Sequence, residues 1–351
     1  MERIIPRQVN NTTLKENFPY LFTEHYQDEF PKADVQAVNK GLLEPMYDLM
    51  DRGGKRWRPC LGLAFAECFG RDARKFEDDI YYACGLTEIV HNGSLMADDI
   101  EDRSQLRRGL PCTYLKYGLD YAVNASTLMY YIPIAQMNRF ITDPALQSRL
   151  TSIYNQEMVN LHFGQNWDIT WHHGGAGGIS MCPTEDQYVQ MVLNKTSVLP
   201  RMCLRFLAEI LELKPQQRSA VIKYIETLGA AFQIQDDIIA VTSEQYAKER
   251  GVGEDIREGK RSLMVIHSLN IKQKQAIAKR LDEILNLHTD DVSLLREAID
   301  ILITNGSVDY AKNRAASMMA QAWSELERQI PECKAKKDVE ALSSYLIDRD
   351  I

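Results

Sequence analysis

The chain has 351 residues, of which 45% are hydrophobic and 26% are charged, and its formal net charge is −8. This composition is that of an ordinary globular protein, long enough for one large domain or two smaller ones. A negative balance without a basic block argues against charge-driven binding to nucleic acid or to anionic membranes. We therefore expect no nucleic-acid partner.

Seven cysteines are scattered along the chain without a CxxC pair. An odd number at such spacing is typical of reduced thiols, not of a disulfide framework or a zinc site. The first twenty residues lack the apolar core of a signal peptide, and no apolar stretch is long enough to span a bilayer. The sequence predicts a soluble, cytoplasmic protein with no transmembrane segment.

Hydrophobic spacing is helical almost throughout. In residues 76–102, apolar and small side chains recur at three- and four-residue steps, and residues 185–213, 216–241 and 290–330 continue this pattern. Pro183, Thr184 and Glu185 together predict a helix start, while alternating strand patterns are nearly absent. No loop is rich enough in breakers to separate two domains. We predict an all-α fold in one domain, residues 1–351, with its core at about 40–330 and a central cavity.

Two acidic runs lie inside these apolar segments. The first, residues 98–102, reads DDIED, and the second begins with Asp236 and Asp237. Adjacent carboxylates in apolar surroundings lose hydration and repel each other, so a cation must compensate them. Asp98 and Asp102 are one helical turn apart, and oxygen ligands without His or Cys favour Mg²⁺ over zinc. We predict a diphosphate substrate held by Mg²⁺ between two acidic helices; the alternative for DDIED is a helix end facing solvent.

Cations and polar groups accompany both acidic runs. A glycine turn precedes Lys55 and Arg58, and two arginines follow DDIED; such groups suit diphosphate oxygens, although surface salt bridges are an alternative. His91 lies two turns before Asp98, where simple packing is the commoner role. For the polar groups near the second run, the alternative is ordinary interior packing in which the lysine extends its charged end to solvent. The positions are Lys55, Arg58, His91, Arg107, Arg108, Lys195, Thr196, Gln233 and Lys260.

Eight segments, taken in order, resemble the trans-prenyl diphosphate synthases: GGKRWRP, HNGSLMADDIED, RRGLP, GQNWDITW, PTEDQY, KTS, FQIQDD and DIREGK. Within that family the chain is most similar to eukaryotic-type geranylgeranyl diphosphate synthases. The resemblance implies the isoprenoid-synthase fold, an all-α bundle around a deep cavity. It also implies a Mg²⁺-dependent prenyltransferase that condenses isopentenyl diphosphate with an allylic diphosphate, as a homodimer or a larger assembly of dimers.

The resemblance further implies roles for individual residues. Three Mg²⁺ ions would be bound, with Asp98, Asp99, Asp102 and Asp236 as metal ligands. Isopentenyl diphosphate would be bound by Lys55, Arg58, His91 and Arg108, and the allylic substrate by Arg107, Lys195, Thr196, Gln233 and Lys260. The predicted catalytic set is Asp98, Asp102, Asp236, Lys195, Thr196 and Gln233. Two positions depart from the family pattern: Arg250 replaces a substrate-binding lysine, and Ala240 replaces the last aspartate of the second motif.

The mechanism that the resemblance implies begins with ionisation of the allylic C–O bond. Magnesium and arginine would neutralise the departing diphosphate, and the carbonyl of Lys195 with the side chains of Thr196 and Gln233 would stabilise the allylic cation. The double bond of isopentenyl diphosphate then attacks, and the released diphosphate takes the proton. A dry cavity is required because water would quench the cation.

Product length follows from helix geometry. One helical turn is about 5.4 Å, close to the length of one isoprene unit. A bulky residue one turn before Asp98 would therefore act as the floor of the cavity, where the growing product chain stops. Gly93 and Ser94 stand there, with Val90 below them, and none of the three is bulky. This predicts growth beyond farnesyl diphosphate to geranylgeranyl diphosphate, with Tyr130 or Tyr131 as the expected floor.

Three alternatives to this function remain open at the level of sequence. A class I terpene synthase shares the fold but needs no second diphosphate pocket, and a farnesyl or longer-chain synthase would differ only in its floor. A non-catalytic partner subunit would tend to lose the first motif, which is complete here. Product analysis with isopentenyl diphosphate separates these possibilities.

Overall fold

The computed structural model describes residues 1–21, 33–72, 75, 77–173 and 182–349. Within these ranges the chain is almost entirely helical, and its one pair of strands is only two residues long on each side. The predicted all-α class is confirmed. No helix in the described ranges has the length and apolar character needed to cross a membrane.

The elements follow in chain order. The helices are α1 (Asn11–Asn17), α2 (Val35–Val38), α3 (Glu44–Asp51), α4 (Trp57–Cys68), α5 (Asp78–Glu101), α6 (Thr113–Tyr117), α7 (Leu119–Ala135), α8 (Pro144–His173), α9 (Glu185–Lys195), α10 (Val198–Ile210), α11 (Pro215–Thr242), α12 (Glu244–Arg250), α13 (Glu254–Glu258), α14 (Leu263–Leu269), α15 (Gln275–Leu287), α16 (Val292–Thr304), α17 (Ser307–Leu326) and α18 (Lys334–Asp348). Strands β1 (Leu106–Arg107) and β2 (Leu110–Pro111) pair antiparallel between α5 and α6.

Contacts group the chain into two compact units, residues 1–56 with 85–142 and residues 57–84 with 143–351. A single domain over the whole chain stays a prediction. In the first unit, α3 packs on α6 and α7. Gly93 of α5 allows close approach to α7, because a Cβ atom there would lie 2.8 Å from Cβ of Met129.

In the second unit the long helix α11 packs on α17, α10, α9 and α18, and α8 packs on α9 and α10. Gly164 brings α8 against the end of α9: a Cβ atom at this position would lie 2.5 Å from the backbone nitrogen of Lys195. Only glycine fits so close to a neighbouring backbone. The approach fixes where α9 ends, at the residues KTS.

Helix starts follow ordinary capping chemistry. The predicted start at Thr184 is confirmed: its side chain accepts a hydrogen bond from the backbone of Gln187, whose side chain in turn accepts one from the backbone of Thr184. The apolar pattern over residues 185–213 forms two helices, because α9 ends at Lys195 and α10 begins at Val198. The break places Thr196 and Ser197 between two helices.

A buried ion-pair network ties α8 to α10. Glu157 is fully buried, and Arg201 donates to it through Nε at 2.9 Å and through Nη2 at 2.5 Å, while Arg205 donates at 2.7 Å. Burial alone would raise the pKa of Glu157, but the two arginines outweigh it and hold that pKa below its usual value. A buried carboxylate in this protein is thus stable where an arginine fork satisfies it.

Candidate functional site

The first aspartate run ends α5. Asp98 and Asp99 lie in the last turn, and the backbone nitrogen of Asp102 donates to the carbonyl of Asp98 at 2.8 Å, so the helical path continues to Asp102. The Asp98 side chain is 19% exposed, whereas that of Asp99 is 1% exposed. The run is therefore not a solvent-facing helix end, and the exposure of its carboxylates differs from one residue to the next.

Arg107, in β1, compensates the buried member of the pair. Its Nε donates to Oδ1 of Asp99 at 2.6 Å, its Nη2 also contacts Asp99, and Nη2 lies 3.3 Å from Oδ2 of Asp98. Burial raises the pKa of Asp99, and the charge and hydrogen bonds of Arg107 work against that rise. Asp99 is thus fixed by an arginine fork, which leaves Asp98 as the more accessible carboxylate.

Arg108 points to a different part of the first unit. Its Nη1 donates to the carbonyl oxygen of Leu49 at 3.0 Å and to Oδ1 of Asn92 at 3.3 Å. Gly54 makes room for it, because a Cβ atom there would lie 2.8 Å from Nη2 of Arg108. Burial lowers the pKa of Arg108. The glycine turn and Arg108, predicted as parts of one anion site, do lie together.

Arg52 holds the β1–β2 hairpin that carries both arginines, and sequence reasoning missed it. Its Nη1 donates to the carbonyl oxygens of Arg107 at 3.1 Å and Pro111 at 2.9 Å, and its Nη2 pairs with Asp48 at 2.5 Å. The Arg52 side chain is 3% exposed. No motif in the sequence marks this residue, since the hairpin oxygens that it binds are main-chain atoms over fifty residues away.

The remaining predicted cations differ in exposure. Lys55 is exposed and His91 is half-buried, both in the first unit. Arg58 lies in α4 of the second unit; it is buried, and its guanidinium carbon is 4.8 Å from the centre of the Trp57 ring. Arg250 ends α12, but its side chain lies outside the described part of the structure.

In the second unit a chain of hydrogen bonds joins the end of α9 to the second aspartate pair. Thr196 donates to Oε1 of Gln233 at 2.6 Å, Gln233 donates to Oδ1 of Asp237 at 2.8 Å, and Tyr188 donates to Oδ2 of Asp237 at 2.8 Å. Burial, then the negative charge of Asp255, raises the pKa of Asp237 to about 7 against these hydrogen bonds. Asp237 is therefore a buried, hydrogen-bonded group.

Asp236, next to it, is the open member of this pair. Its side chain is 40% exposed and forms an ion pair with Arg349, directly after α18. Arg349 could not be predicted as a site residue, because it lies outside every motif. Asp236 thus resembles Asp98: a partly accessible carboxylate beside a buried one.

Lysines of the second unit also face carboxylates. Lys195 lies 2.5 Å from Oδ2 of Asp168, and Lys260 lies 2.7 Å from Glu258 and 3.8 Å from Asp255. Burial would raise the pKa of Asp168, but the positive charges of Lys195 and Lys260 hold it below its usual value. Lys195 is therefore not a snorkelling surface lysine; it is fixed by an aspartate of the GQNWDITW segment.

The predicted chain-length positions point in different directions. Gly93 faces α7, so a larger side chain there would collide with Met129 and the carbonyl oxygen of Ser126. Ser94 is half-buried and donates to the carbonyl oxygen of His91 at 2.8 Å, while Val90 is fully buried. Ser94 is thus the better position at which to test product length.

The expected floor residues differ as well. Tyr131 is 64% exposed, whereas Tyr130 is half-buried and would lie 3.3 Å from a Cβ atom at Gly93. Burial, and more weakly the charges of Glu101 and Asp98, raise the pKa of Tyr130. The structure therefore favours Tyr130 over Tyr131 as the residue beside this part of α5.

The ligand chemistry of both aspartate runs fits Mg²⁺. No three His, Cys, Asp or Glu side chains of the described residues are gathered into a ready-made metal site. Mg²⁺ is commonly held by one or two carboxylates and completes its shell with waters and substrate phosphates. Asp98 with Asp102, and separately Asp236, suit an ion that arrives with a diphosphate.

Replacing Arg107 by glutamine tests the buried pair. Without Arg107 the pKa of Asp99 rises further, so an ionised Asp99 destabilises the folded state at neutral pH. We expect a loss of about 3 kcal/mol in the free energy of unfolding. A carboxyl group whose pKa is raised on folding destabilises the folded state only while it is ionised. The loss in the free energy of unfolding should therefore be smaller at about pH 5 than at neutral pH. Urea denaturation at both pH values measures it.

The matched control is Arg280→Gln, which removes an arginine from a half-exposed pair with Glu297. Little change at either pH is expected there. An Arg107→Gln loss that is the same at both pH values would show that Asp99 is not the group responsible.

Three comparisons place the chain among known proteins. Geranylgeranyl pyrophosphate synthase 2 of Zymoseptoria tritici is 31% identical over 309 residues, 88% of this chain and 86% of that protein. The crystal structure of geranylgeranyl pyrophosphate synthetase from Pyrococcus horikoshii matches with a TM-score of 0.78 at 28% identity, covering 97% and 98% of the two chains. That of geranylgeranyl pyrophosphate synthase from Corynebacterium glutamicum, complexed with isoprenyl diphosphate and magnesium, has a TM-score of 0.79 and covers 99% and 98%; its 18% identity speaks for the fold alone.

The family model described as polyprenyl synthetase matches residues 39–302, three quarters of the chain. Together with the solved structures, this match confirms both the isoprenoid-synthase fold and the family that the eight segments indicated. The chain belongs to the polyprenyl synthetase family.

Proposed function

We propose that this protein is a Mg²⁺-dependent prenyltransferase that condenses isopentenyl diphosphate with an allylic diphosphate to make geranylgeranyl diphosphate. The observation that carries the proposal is the first aspartate run: two partly accessible carboxylates one turn apart, with two arginines supplied by the adjoining hairpin, Arg107 buried and Arg108 half-buried. Carboxylates for a metal and arginine forks for phosphate oxygens are the two requirements of diphosphate binding. The names of the related enzymes support the product.

The bound metal would neutralise the negative charge that develops on the departing diphosphate. Asp98 and Asp102 would hold it at the first run and Asp236 at the second, for three ions in all. Asp99 and Asp237 would position these ligands, because Arg107 binds Oδ1 of Asp99, and Gln233 and Tyr188 bind the two oxygens of Asp237.

The chain's own polar groups would act on the reacting carbons. The hydrogen-bonded pair of Thr196 and Gln233 directs oxygen atoms at a fixed place between α9 and α11, and such preorganised dipoles can stabilise a carbocation. Lys195, Lys260 and Arg107 would bind the allylic diphosphate. Lys55, Arg58, His91 and Arg108 would bind isopentenyl diphosphate.

We further propose a homodimer in a reducing compartment, the cytoplasm. Large apolar side chains are exposed on α7, where Leu119 is 52% and Tyr121 53% exposed, and on α8, where Val159 and Phe163 are each 56% exposed. Monomers rarely expose so many large apolar side chains, and a second copy would cover them. The scattered cysteines, which include no CxxC pair, support a reducing compartment.

Turnover and product analysis test the proposal directly. Purified protein, Mg²⁺, labelled isopentenyl diphosphate and farnesyl diphosphate should yield geranylgeranyl diphosphate. Asp102→Asn should lower kcat by at least about a hundredfold, because it removes a metal ligand. Asp300→Asn, an exposed aspartate on α16, should not change it.

Two results would contradict the proposal. Wild-type turnover in Asp102→Asn would show that Asp102 is not the metal ligand assigned to it. Release of a hydrocarbon from an allylic diphosphate, without use of isopentenyl diphosphate, would make the protein a terpene synthase.

Substitution at Ser94 tests the account of product length. We expect Ser94→Phe to shift the main product from geranylgeranyl to farnesyl diphosphate, because its ring would fill about one helical turn below Asp98. Ser94→Ala is the control and should leave product length unchanged. Chromatography of the dephosphorylated products measures the ratio, and an unaltered ratio in Ser94→Phe would show that Ser94 does not face the growing chain.

A further inference from the structure

Arg349, the residue that follows α18, contacts the open carboxylate of the second aspartate pair. Its Nη2 forms an ion pair with Oδ1 of Asp236. No sequence motif includes this arginine. The contact lies wholly within the second unit and joins the residue after α18 to the last two turns of α11.

Several contacts hold Arg349 in place. Its guanidinium carbon lies 4.3 Å from the centre of the Phe232 ring, its Nε donates to the carbonyl oxygen of Leu346 at 3.2 Å, and its own carbonyl oxygen accepts from Gln235 at 2.6 Å. The Arg349 side chain is only 2% exposed. Burial lowers its pKa to about 10, so it still carries a positive charge at neutral pH. The Asp236 carboxylate therefore faces a fixed cation.

This ion pair is less complete than the structural pairs of the same unit. Arg201 is bound to Glu157 through two guanidinium nitrogens and also donates to the carbonyl oxygen of Leu193. In Arg349, by contrast, the buried Nη1 has no hydrogen-bond partner among the residues that the structure describes. Arg349 is thus held by fewer hydrogen bonds from the protein than Arg201 is.

The neighbourhood explains why a cation is needed at Asp236. Asp237 adjoins it in sequence and is a second, buried carboxylate of the same helix. Without a counter-charge these carboxylates repel one another. Arg349 supplies one positive charge at the oxygen that a divalent ion would otherwise occupy.

We propose that Arg349 is a resident counter-ion of the metal site, which holds Asp236 while no metal is bound and is displaced from it by Mg²⁺ with diphosphate. The inference rests on the proposed function, because it takes Asp236 to be a metal ligand. Arg349 and Mg²⁺ then compete for the same carboxylate oxygen, and the arginine lowers the apparent affinity of the site for the ion.

Arg349→Gln tests this competition, with Mg²⁺ and inorganic diphosphate as the probe and thermal unfolding as the readout. In EDTA the variant should unfold at a lower temperature than wild type, because Asp236 has lost its counter-ion. With saturating Mg²⁺ and diphosphate that difference should shrink. The Mg²⁺ concentration for half-maximal stabilisation should fall at least about threefold.

Two further variants serve as controls. Arg349→Lys keeps the positive charge and should stay closer to wild type in its Mg²⁺ requirement. Lys337→Gln removes an exposed positive charge from the same helix and should leave the requirement unchanged. An unchanged or raised Mg²⁺ requirement in Arg349→Gln would overturn the proposal, since a raised value means that the arginine assists metal binding.

A measurement on the wild-type protein covers the case in which Arg349→Gln does not fold. With ¹⁵N-labelled arginine, the Nε–H signal assigned to Arg349 by comparison with Arg349→Lys should shift when Mg²⁺ and diphosphate are added. An Arg349 signal that stays in place at saturation would overturn the inference. If wild type itself gains no stability from Mg²⁺ and diphosphate, the proposed function fails; if it does and Arg349→Gln responds identically, only the role of Arg349 fails.

Discussion

The structure depends on the compensation of buried carboxylates by internal cations. Asp99 is paired with Arg107, Asp168 with Lys195 and Glu157 with Arg201. An isolated charge in such surroundings would lose its hydration and gain no compensating interaction. Each of these three carboxylates therefore requires a partner supplied by another element. These pairs also tie the elements together: the hairpin to α5, and α8 to α9 and α10.

The same constraint gives the two members of each aspartate pair different environments. In the first, Asp99 is buried and fixed by Arg107 while Asp98 remains partly exposed. In the second, Asp237 is buried between Tyr188 and Gln233 while Asp236 is 40% exposed. The buried member is held by the protein, and under the proposed function it orients its neighbour while the more exposed member binds the metal ion. Adjacent aspartates that look equivalent in sequence are therefore chemically unlike.

Much of the fold could be predicted from sequence because helical periodicity is a local property. The boundaries of α5 and α11 and the cap at Thr184 follow from short segments. Contacts made by main-chain oxygens or by distant residues could not be predicted. Arg52 binds the carbonyl oxygens of the hairpin and Arg349 reaches Asp236 from the far end of the chain, and neither has a local pattern. Gly93 seemed equivalent to Ser94 until its direction toward α7 was known.

The central claim is that the partly exposed aspartates bind the diphosphate of the allylic substrate only through a divalent ion, while Arg349 holds Asp236 until that ion arrives. Calorimetric titration of farnesyl diphosphate into the wild-type protein, with and without Mg²⁺, tests it most directly. The account predicts binding in Mg²⁺ and at least about tenfold weaker binding in EDTA. Equal affinity under both conditions would contradict it, because the arginines and lysines would then bind diphosphate without any metal.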